Sequence, residues 1–328
     1  MDNKKETAPD NGFETVETTL GRYGRSLEIG EGGRKGDIIA IIVTYNRKEK
    51  LLNCINALFK QKGGSPDILV IDNYSEDGTR EALSELVETE KIIYKNTGRN
   101  LGGAGGFELG VREAVTMGYK YLWLMDDDSI PKKRALFEFK KAHNKLSGRY
   151  GFLSSKVVWK DGNICKMNIQ KKDVLTRIPD FNNDLEPIQF ASFVSCFIKA
   201  SVVKEVDLPI GEFFIWGDDH EYTRRISMEY PCYYVKNSVV VHDCETNTGS
   251  NIAQDSLDKM KCYLYSYRND VYIFRREGLK GIVYLFARLM YHILRIAVSG
   301  EAGKKKRFVT LFKGTLMGLL YSPTVDIV

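Results

Sequence analysis

The fold class is indicated by residues 38–43, which read Ile38-Ile39-Ala40-Ile41-Ile42-Val43. A nearly continuous β-branched run of this length is typical of a central parallel strand that is covered on both faces. A one-sided helical pattern follows at residues 51–59, and two further strand candidates lie at residues 67–71 and 92–94. Strands that alternate with helices predict an α/β domain with a doubly wound, mostly parallel sheet.

The pattern is less regular after the first half of this domain. Four more strand candidates are predicted to form a smaller second sheet in the same domain: residues 152–159, 190–198, 233–235 and 239–241. A helical, aromatic segment then runs to about residue 276. The sequence therefore predicts a tail or extension (1–37), one α/β domain (38–276) and C-terminal helices (277–328).

Composition limits the class of protein and its partners. The chain has 328 residues, of which 43% are hydrophobic and 28% charged, as in ordinary globular proteins. A net charge of +5 is too small to favour nucleic acid as the main partner. The six cysteines show no short paired spacing, so neither a zinc site nor a disulfide framework is expected. No apolar run marks a secretory signal, and a cytoplasmic location is therefore expected.

The acidic run Asp126-Asp127-Asp128 directly follows the apolar, aromatic residues 121–125. Three carboxylates at the end of a buried strand are costly unless positive charge lies in front of them. A divalent cation held by one or two of them would supply that charge. The alternative is a solvated acidic turn. Asn46, Asp72 and Asn100 also follow strand candidates, and ligands of doubly wound sheets bind at such strand ends.

A glycine-rich segment, residues 99–107, opens a helix. Its glycines are Gly102, Gly103, Gly105 and Gly106, and they would allow the backbone to approach a ligand closely. The helix N-terminus behind them would favour a phosphate or a sugar hydroxyl. The alternative is a tight turn. Glu108 stands where a dinucleotide-binding fingerprint requires glycine.

A second acidic cluster contains Asp218, Asp219 and Glu221, after the aromatic residues 213–216. Paired carboxylates beside bulky aromatics suit a general base that faces an uncharged polar substrate. In the alternative interpretation, Asp218 caps a helix and the rest is surface. His242 ends a strand candidate and would be a third metal ligand, although a lone histidine in such a place is often only a hydrogen-bonded polar residue.

Taken in order, these motifs resemble those of family-2 inverting glycosyltransferases of the GT-A fold, from residue 38 to about 276. The motifs are residues 43–47, 71–79, 126–128, 216–221 and His242. The loop at residues 100–107 looks most like that of bacterial galactofuranosyltransferases, whereas related rhamnosyltransferases carry a differently spaced loop. Tyr267-Arg268-Asn269 is similar to a motif of both groups.

The resemblance implies roles for particular residues. Asp126, Asp128 and His242 would hold Mn²⁺ or Mg²⁺. Asp219 would be the catalytic base, with Glu221 orienting the acceptor and Asp218 beside them. The nucleotide-sugar pocket would be lined by Thr44, Asn46, Arg47, Asp72, Asn73, Asn100, Gly102, Gly103, Gly105, Gly106 and Asp127.

The implied activity is hexosyl transfer in the synthesis of a cell-wall or O-antigen polysaccharide. The donor is expected to be UDP-galactofuranose, with dTDP-rhamnose as the alternative, and the acceptor a glycan or lipid-linked glycan. Phe193-Val194 replaces a tryptophan pair that flanks the acceptor in cell-wall galactofuranosyltransferases, so the acceptor stays open. Two other functions are alternatives. A nucleotidyltransferase would require a glycine-rich loop after the first strand, which this chain lacks. The other alternative is a catalytically silent glycan-binding or sugar-nucleotide-binding protein.

The segment 281–298 is strongly apolar but carries Arg288, His292 and Arg295 on one narrow helical stripe. Two arginines within the segment disfavour a membrane-spanning helix and favour an interfacial one. The basic run 304–307 would attract anionic lipids. We therefore expect a peripheral protein on the inner face of the cell membrane. The alternative is a buried helix or a contact in a homo-oligomer.

Overall fold

The structure, a computed structural model, describes residues 36–328. The predicted tail, residues 1–37, lies outside the described residues except for its last two. The strands are β1 (Ile38–Thr44), β2 (Asp67–Asp72), β3 (Ile93–Asn96), β4 (Tyr121–Asp126), β5 (Ser129–Pro131), β6 (Phe152–Trp159), β7 (Leu185–Pro187), β8 (Cys196–Lys199) and β9 (Tyr233–His242). The helices are α1 (Lys48–Phe59), α2 (Thr79–Glu88), α3 (Gly102–Thr116), α4 (Ala135–Lys145), α5 (Ala200–Val206), α6 (Asp218–Glu229), α7 (Met260–Arg275), α8 (Gly278–Val298) and α9 (Lys304–Leu320).

The strands of the described residues form one mixed sheet in the order β3-β2-β1-β4-β8-β6-β9-β5, with β7 paired to β9. Strands β3, β2, β1 and β4 are parallel, as the β-branched run of β1 predicts. Buried side chains of β1 alternate between two hydrophobic cores, one on each face of the sheet. The doubly wound α/β fold is thereby confirmed.

The smaller second sheet was a wrong prediction, because the later strands extend the first sheet. Strand β8 pairs antiparallel with β4 and with β6, and β6 runs parallel to β9. The predicted strand 190–198 is also shorter, since residues 193–195 form a 3₁₀ turn before β8. Trp123 Nε1 donates to Ser195 Oγ at 2.8 Å and ties this turn to β4.

The C-terminal helices pack on the α/β domain. Glycines of α9 lie against α7, and a Cβ on Gly318 would come within 2.6 Å of Val271 Cβ. Beyond α9 the chain returns to α3, where Arg112 Nη2 lies 3.0 Å from Asp326 Oδ2. The segment 277–328 is therefore held to the α/β domain at both α7 and α3.

Helix α8 is long and apolar enough, by length and composition alone, to cross a membrane, and only 11% of its most apolar stretch is buried. Its polar stripe faces the protein: Arg288 Nε donates to Asp270 Oδ2 at 3.0 Å, and His292 Nδ1 lies 2.7 Å from Tyr267 Oη. Many of its apolar side chains face outward, with Leu279 77% and Phe286 66% exposed, whereas Ile296 is buried and Leu289 packs against the protein. Such an outward apolar face is unusual for a surface helix of a globular protein.

The basic run at the start of α9 exposes fewer charges than the sequence indicates. Lys305 and Lys306 are exposed, but Arg307 is only 3% exposed. Arg307 Nη1 donates to Asp255 O at 2.8 Å and also to Ile252 O. The guanidinium therefore fixes a loop, and the expectation that it attracts lipid is wrong.

Candidate active site

The acidic run lies at the carboxyl end of β4, beside the end of β1. Val43 and Asp126 are neighbours in the parallel register. Asp127 is 4% exposed and its Oδ2 accepts a hydrogen bond from Thr44 Oγ1 at 2.9 Å. Arg47 Nη1 lies 3.3 Å from Asp127 Oδ1 and 3.0 Å from Asp128 Oδ2. The strand-end arrangement predicted from sequence is thus present.

Asp126, Asp128 and His242 come together although His242 is far away in the sequence. Antiparallel pairing of β5 with β9 sets Ser129 opposite His242. His242 Nε2 lies 3.2 Å from Asp128 Oδ1. Asp126, Asp128 and His242 each offer one ligand atom, and these three atoms lie within 4.8 Å of one another. Two carboxylates and an imidazole form a donor set that suits Mn²⁺ or Mg²⁺.

The electrostatics of this group show an excess of buried negative charge. Burial and the charge of Asp128 raise the pKa of Asp126 to about 7. Burial opposes ionisation of Asp128 and of His242 alike, but their mutual hydrogen bond prevails. It lowers the pKa of Asp128 and raises that of His242 to about 10. A cation at this position would favour the ionised carboxylates and the neutral imidazole.

Asn168 fixes the imidazole from behind. Its Oδ1 lies 2.8 Å from His242 Nδ1, and its Nδ2 donates to Ser192 Oγ at 2.9 Å. This network assigns a proton to His242 Nδ1, so that in the neutral imidazole the Nε2 lone pair faces the group containing Asp128. Nothing in the sequence pattern identified Asn168, because it sits in a short 3₁₀ turn without any motif.

The second acidic cluster begins helix α6 after a constrained loop. Phe214 and Trp216 have φ of 64° and 63°, a region that side chains other than glycine rarely adopt. Asn269, which is 0% exposed, holds this loop: its Nδ2 donates to Phe213 O at 3.1 Å and Trp216 O at 2.9 Å. The sequence singled out Tyr267-Arg268-Asn269 only as a motif, and the structure shows what Asn269 contacts.

Asp219 is the better placed of the two adjacent aspartates. Asp218 is 7% exposed, and burial together with the charge of Asp219 raises its pKa well above the usual range. Asp219 is half-buried, and burial raises its pKa to about 6 against the stabilising backbone N–H of His220. Among the described residues, no cation lies within ion-pair distance of Asp219. The charge of Asp219 contributes to the raised pKa of Asp126, so the two acidic clusters are close enough to interact electrostatically.

Glu221 differs from the expectation that it orients the acceptor. Its side chain is 6% exposed and forms an ion pair with Arg225, in which Nη2 lies 2.8 Å from Oε2. Arg225 in turn donates to Leu208 O at 3.0 Å and to Val206 O. Both carboxylate oxygens of Glu221 accept hydrogen bonds from Arg225, so its contacts are with the protein interior.

The predicted nucleotide residues at the end of β2 are also hydrogen-bonded within the protein. Asp72 Oδ1 accepts from Ser75 N at 2.9 Å and Oδ2 from Tyr94 Oη at 2.6 Å. Asn46 Oδ1 accepts from Glu76 N at 2.8 Å. These bonds connect the loops after β1 and β2.

The glycine loop has a different role from the one its sequence indicates. A Cβ on Gly102 would lie 2.0 Å from Phe214 O, and one on Gly106 would lie 2.5 Å from Val43 Cγ1. One on Gly105 would lie 2.8 Å from Leu101 Cβ, whereas Gly103 faces open space. Close packing against protein thus explains three of these glycines, and Gly103 alone of the four leaves room for a ligand.

The loop is held by its neighbours. Asn73 is 2% exposed, and its Nδ2 donates to Gly102 O at 3.0 Å. Asn100 is exposed, and its Oδ1 accepts from Gly102 N at 2.7 Å. Asn73 therefore positions the loop from beneath, and Asn100 remains accessible at the start of α3.

Lys171 is a further residue that sequence reasoning missed. Burial and the nearby charges of Arg288 and Arg177 lower its pKa to about 8, while Asp270 and Asp219 act in the opposite direction. Its ammonium lies 5.8 Å from the centre of the Phe190 ring. Lys171 lies near enough to Asp219 for their charges to interact. Sequence patterns did not identify it because it lies in an irregular loop without periodicity.

The mixed sheet and the acidic groups at its strand ends define a GT-A type glycosyltransferase. The glycosyl transferase family 2 profile matches residues 39–206, slightly more than half of the chain, and the protein belongs to that family.

The chain is similar to known proteins in sequence and, for the solved structures, in fold. The chain is 25% identical over 268 residues to galactofuranosyltransferase GlfT1 of Mycolicibacterium smegmatis, covering 75% of this chain and 85% of the relative. A structure of GalNAc-T7 with UDP, GalNAc and Mn²⁺ superimposes with a TM-score of 0.60 at 16% identity, over 83% of this chain and 53% of the other. The mannosyltransferase PcManGT of Pyrobaculum calidifontis, in complex with GDP-Man and Mn²⁺, gives 0.54 at 14% identity over 87% of both chains.

Proposed function

We propose that the protein is a metal-dependent inverting galactofuranosyltransferase that moves galactofuranose from a UDP-linked donor to a glycan or lipid-linked glycan in cell-surface polysaccharide synthesis. The observation that carries the proposal is a half-buried Asp219, without an ion-pair partner among the described residues, whose charge acts on Asp126 in the group of Asp126, Asp128 and His242. A donor held at that group would present its anomeric carbon to an acceptor beside Asp219.

The residues present fit a divalent cation. Asp126 and Asp128 are oxygen donors, and His242 offers Nε2 while Asn168 holds the other nitrogen. The raised pKa of Asp126 reflects negative charge that a cation would relieve. When bound, Mn²⁺ or Mg²⁺ would neutralise the diphosphate leaving group.

The chain's own groups would perform the remaining chemistry. Asp219, with its pKa near 6, is largely ionised at neutral pH and able to accept a proton from the acceptor hydroxyl. Because base and donor site lie on opposite sides of the reacting carbon in this proposal, a single displacement would invert the anomeric configuration. Arg47, which contacts Asp127 and Asp128, would sit against the nucleotide diphosphate.

The choice of galactofuranose is supported by two related likenesses. The loop at residues 100–107 resembles that of galactofuranosyltransferases, and a relative that covers three-quarters of the chain bears that name. At 25% identity the donor pocket can differ, and dTDP-rhamnose is therefore the second candidate donor. The candidate pocket contains Thr44, Asp72 and Gly103, and the sugar-facing side contains Asp127.

We also propose that α8 lies in the interface of a membrane, on the cytoplasmic face where a lipid-linked acceptor would be presented. Its outward side chains are apolar, with Leu294 59% and Val298 82% exposed, and the patch continues on α9 at Phe312, 57% exposed. An exposed patch of this kind marks an interaction surface. Lys305 and Lys306 beside it would favour anionic headgroups.

A donor screen tests the proposal. Purified protein, Mn²⁺ and a lipid-linked acceptor are combined with single UDP-sugars and dTDP-sugars, and release of nucleoside diphosphate is measured with and without EDTA. Turnover of UDP-galactofuranose that EDTA abolishes is expected. Turnover of dTDP-rhamnose alone would replace the donor, and binding without turnover of any donor would favour a catalytically silent protein.

A further inference from the structure

A second cluster of metal-ligating atoms lies behind His242. Cys165 Sγ, Cys244 Sγ and one nitrogen of His242 all lie within 4.8 Å of one another. Cys165 is 0% exposed and its Sγ lies 3.7 Å from His242 Nδ1, the ring nitrogen that faces away from Asp128. Two cysteines that are distant in sequence meet here because β9 brings the 242–244 segment alongside the loop after β6.

The donor types in this cluster differ from those in front of His242. Two thiols and an imidazole select borderline and soft cations such as Zn²⁺, whereas carboxylates select Mn²⁺ and Mg²⁺. A zinc site has Zn–S distances of about 2.3 Å and Zn–N distances of about 2.0 Å. Small shifts of these side chains would bring their sulfur and nitrogen atoms to such distances from one ion.

The proton positions show where a cation would sit. Asn168 Oδ1 lies 3.0 Å from Cys165 Sγ and 2.8 Å from His242 Nδ1, and so it accepts a hydrogen bond from each. A cation between these atoms would replace both protons, and Asn168 Oδ1 is placed to be an oxygen ligand. Cys244, half-buried, gives the cluster access to solvent, and Trp159 Nε1 fixes its backbone by donating to Cys244 O at 3.0 Å.

We propose that Cys165, Cys244 and His242 Nδ1 form a thiolate site for Zn²⁺ or a cation of similar softness, back to back with the group of Asp126, Asp128 and His242 Nε2. The neutral imidazole has one lone pair, so the two sites exclude one another. When Zn²⁺ binds, each thiol loses its proton to solvent, and the protonated imidazole also releases its Nδ1 proton. The remaining ring proton lies on Nε2, where it is donated to Asp128 Oδ1 at 3.2 Å. Zn²⁺ would therefore inhibit by withdrawing His242 from the front site, a consequence that rests on the proposed function.

Cadmium titration of the full chain tests the thiol site without any donor sugar. With the thiols kept reduced by a phosphine, Cd²⁺ is expected to produce a thiolate-to-cadmium absorption band that saturates at one ion per chain. Cys165→Ser and Cys244→Ser are each expected to weaken this binding at least about tenfold. Cys262→Ser, which alters a half-buried cysteine on α7, is the matched control and should leave the titration unchanged.

Equal bands in wild type, Cys165→Ser and Cys244→Ser would overturn the site, as would the absence of a band in folded wild type. If the buried Cys165→Ser variant does not fold, Cys244→Ser alone decides, since its side chain reaches solvent. Circular dichroism monitors folding in every variant.

Mutual exclusion is measured by electron paramagnetic resonance of bound Mn²⁺. Zn²⁺ is expected to weaken Mn²⁺ binding in wild type at a concentration at least about tenfold lower than in Cys244→Ser, where Zn²⁺ competes only directly for the front site. Binding of one Zn²⁺ and one Mn²⁺ at undiminished affinity would contradict the exclusion. Failure to bind Mn²⁺ at all would contradict the exclusion and the proposed cofactor, while the cadmium titration still decides the thiol site.

Discussion

His242 Nε2 lies 3.2 Å from Asp128 Oδ1, and this contact joins the end of β9 to the turn after β4. The two residues are brought together by the pairing of β5 with β9. Through this contact the protonated imidazole of His242 supplies part of the positive charge that the acidic turn requires. It also gives the site a dependence on pH and on cations that can be measured.

Mn²⁺ affinity should rise with pH. Binding must displace protons from His242, whose pKa is raised to about 10, and from Asp126, whose pKa is raised to about 7. Both groups hold more protons at low pH, so affinity is expected to increase about tenfold or more per unit between pH 6 and 8. Calorimetric titration measures this, and an affinity that is constant over the range would contradict the ligand set.

The same linkage governs stability. Without a cation, protonated His242 stabilises the fold fully below its unfolded pKa, and this contribution is lost as pH rises toward 10. Added Mn²⁺ is therefore expected to raise the melting temperature more at pH 8 than at pH 6. Asp128→Asn should abolish the Mn²⁺-induced shift, and Asp161→Asn, at an exposed carboxylate elsewhere, should retain it.

The pH profile of turnover should show an acidic limb. Asp219 acts as a base only when ionised, and its pKa is about 6. At saturating Mn²⁺ and donor, kcat is expected to fall about tenfold per unit below that pH. Asp219→Asn should lose about 10²–10⁴-fold in kcat while nucleotide binding persists. An unchanged kcat in this variant would remove Asp219 from the catalytic role.

Asn269→Ala should disturb catalysis from a distance. The amide holds the loop that precedes Asp218 and Asp219 through bonds to Phe213 O and Trp216 O. Leaving these carbonyls unpaired is expected to cost about 1–3 kcal/mol of stability. It should also lower kcat with little change in nucleotide affinity. Asn163→Ala, at an exposed turn, is the control, and equal effects in both variants would contradict the positioning role.

Phe286→Ser should weaken binding to anionic vesicles at least several-fold, because the outward face of α8 loses apolar area. Leu175→Ser removes an equally exposed apolar side chain, 62% exposed, from a loop outside α8 and α9, and should leave vesicle binding unchanged. Sedimentation with vesicles measures both. Undiminished binding of Phe286→Ser would favour the alternative, a contact between copies of the chain.

The sequence predicted what local patterns determine. The apolar run of β1 specified a parallel strand, and acids that directly follow apolar runs made Asp126, Asp128 and Asp219 candidates whose roles stay a prediction. It did not predict that β8, β6 and β9 continue the same sheet, since pairing of distant strands leaves no local signal. For the same reason Asn168 and the proximity of Cys165 to His242 were missed.

Charged residues and glycines were misinterpreted from sequence where tertiary packing determines their role. Glu221 and Arg307 appear as exposed functional charges in sequence, yet each is bound inside the protein. The glycines at residues 102, 105 and 106 serve close packing of the loop and of α3. A sequence pattern cannot distinguish ligand binding from internal packing, because the atoms that these residues contact belong to other helices, strands and loops.

The central claim is inversion at a galactofuranosyl donor with the help of a divalent cation. Its most direct test is nuclear magnetic resonance of the product formed from UDP-galactofuranose, lipid-linked acceptor and Mn²⁺. We expect a new galactofuranosyl linkage whose anomeric configuration is opposite to that of the donor, and no product in EDTA. A product that retains the donor configuration, or that forms equally well in EDTA, would contradict it.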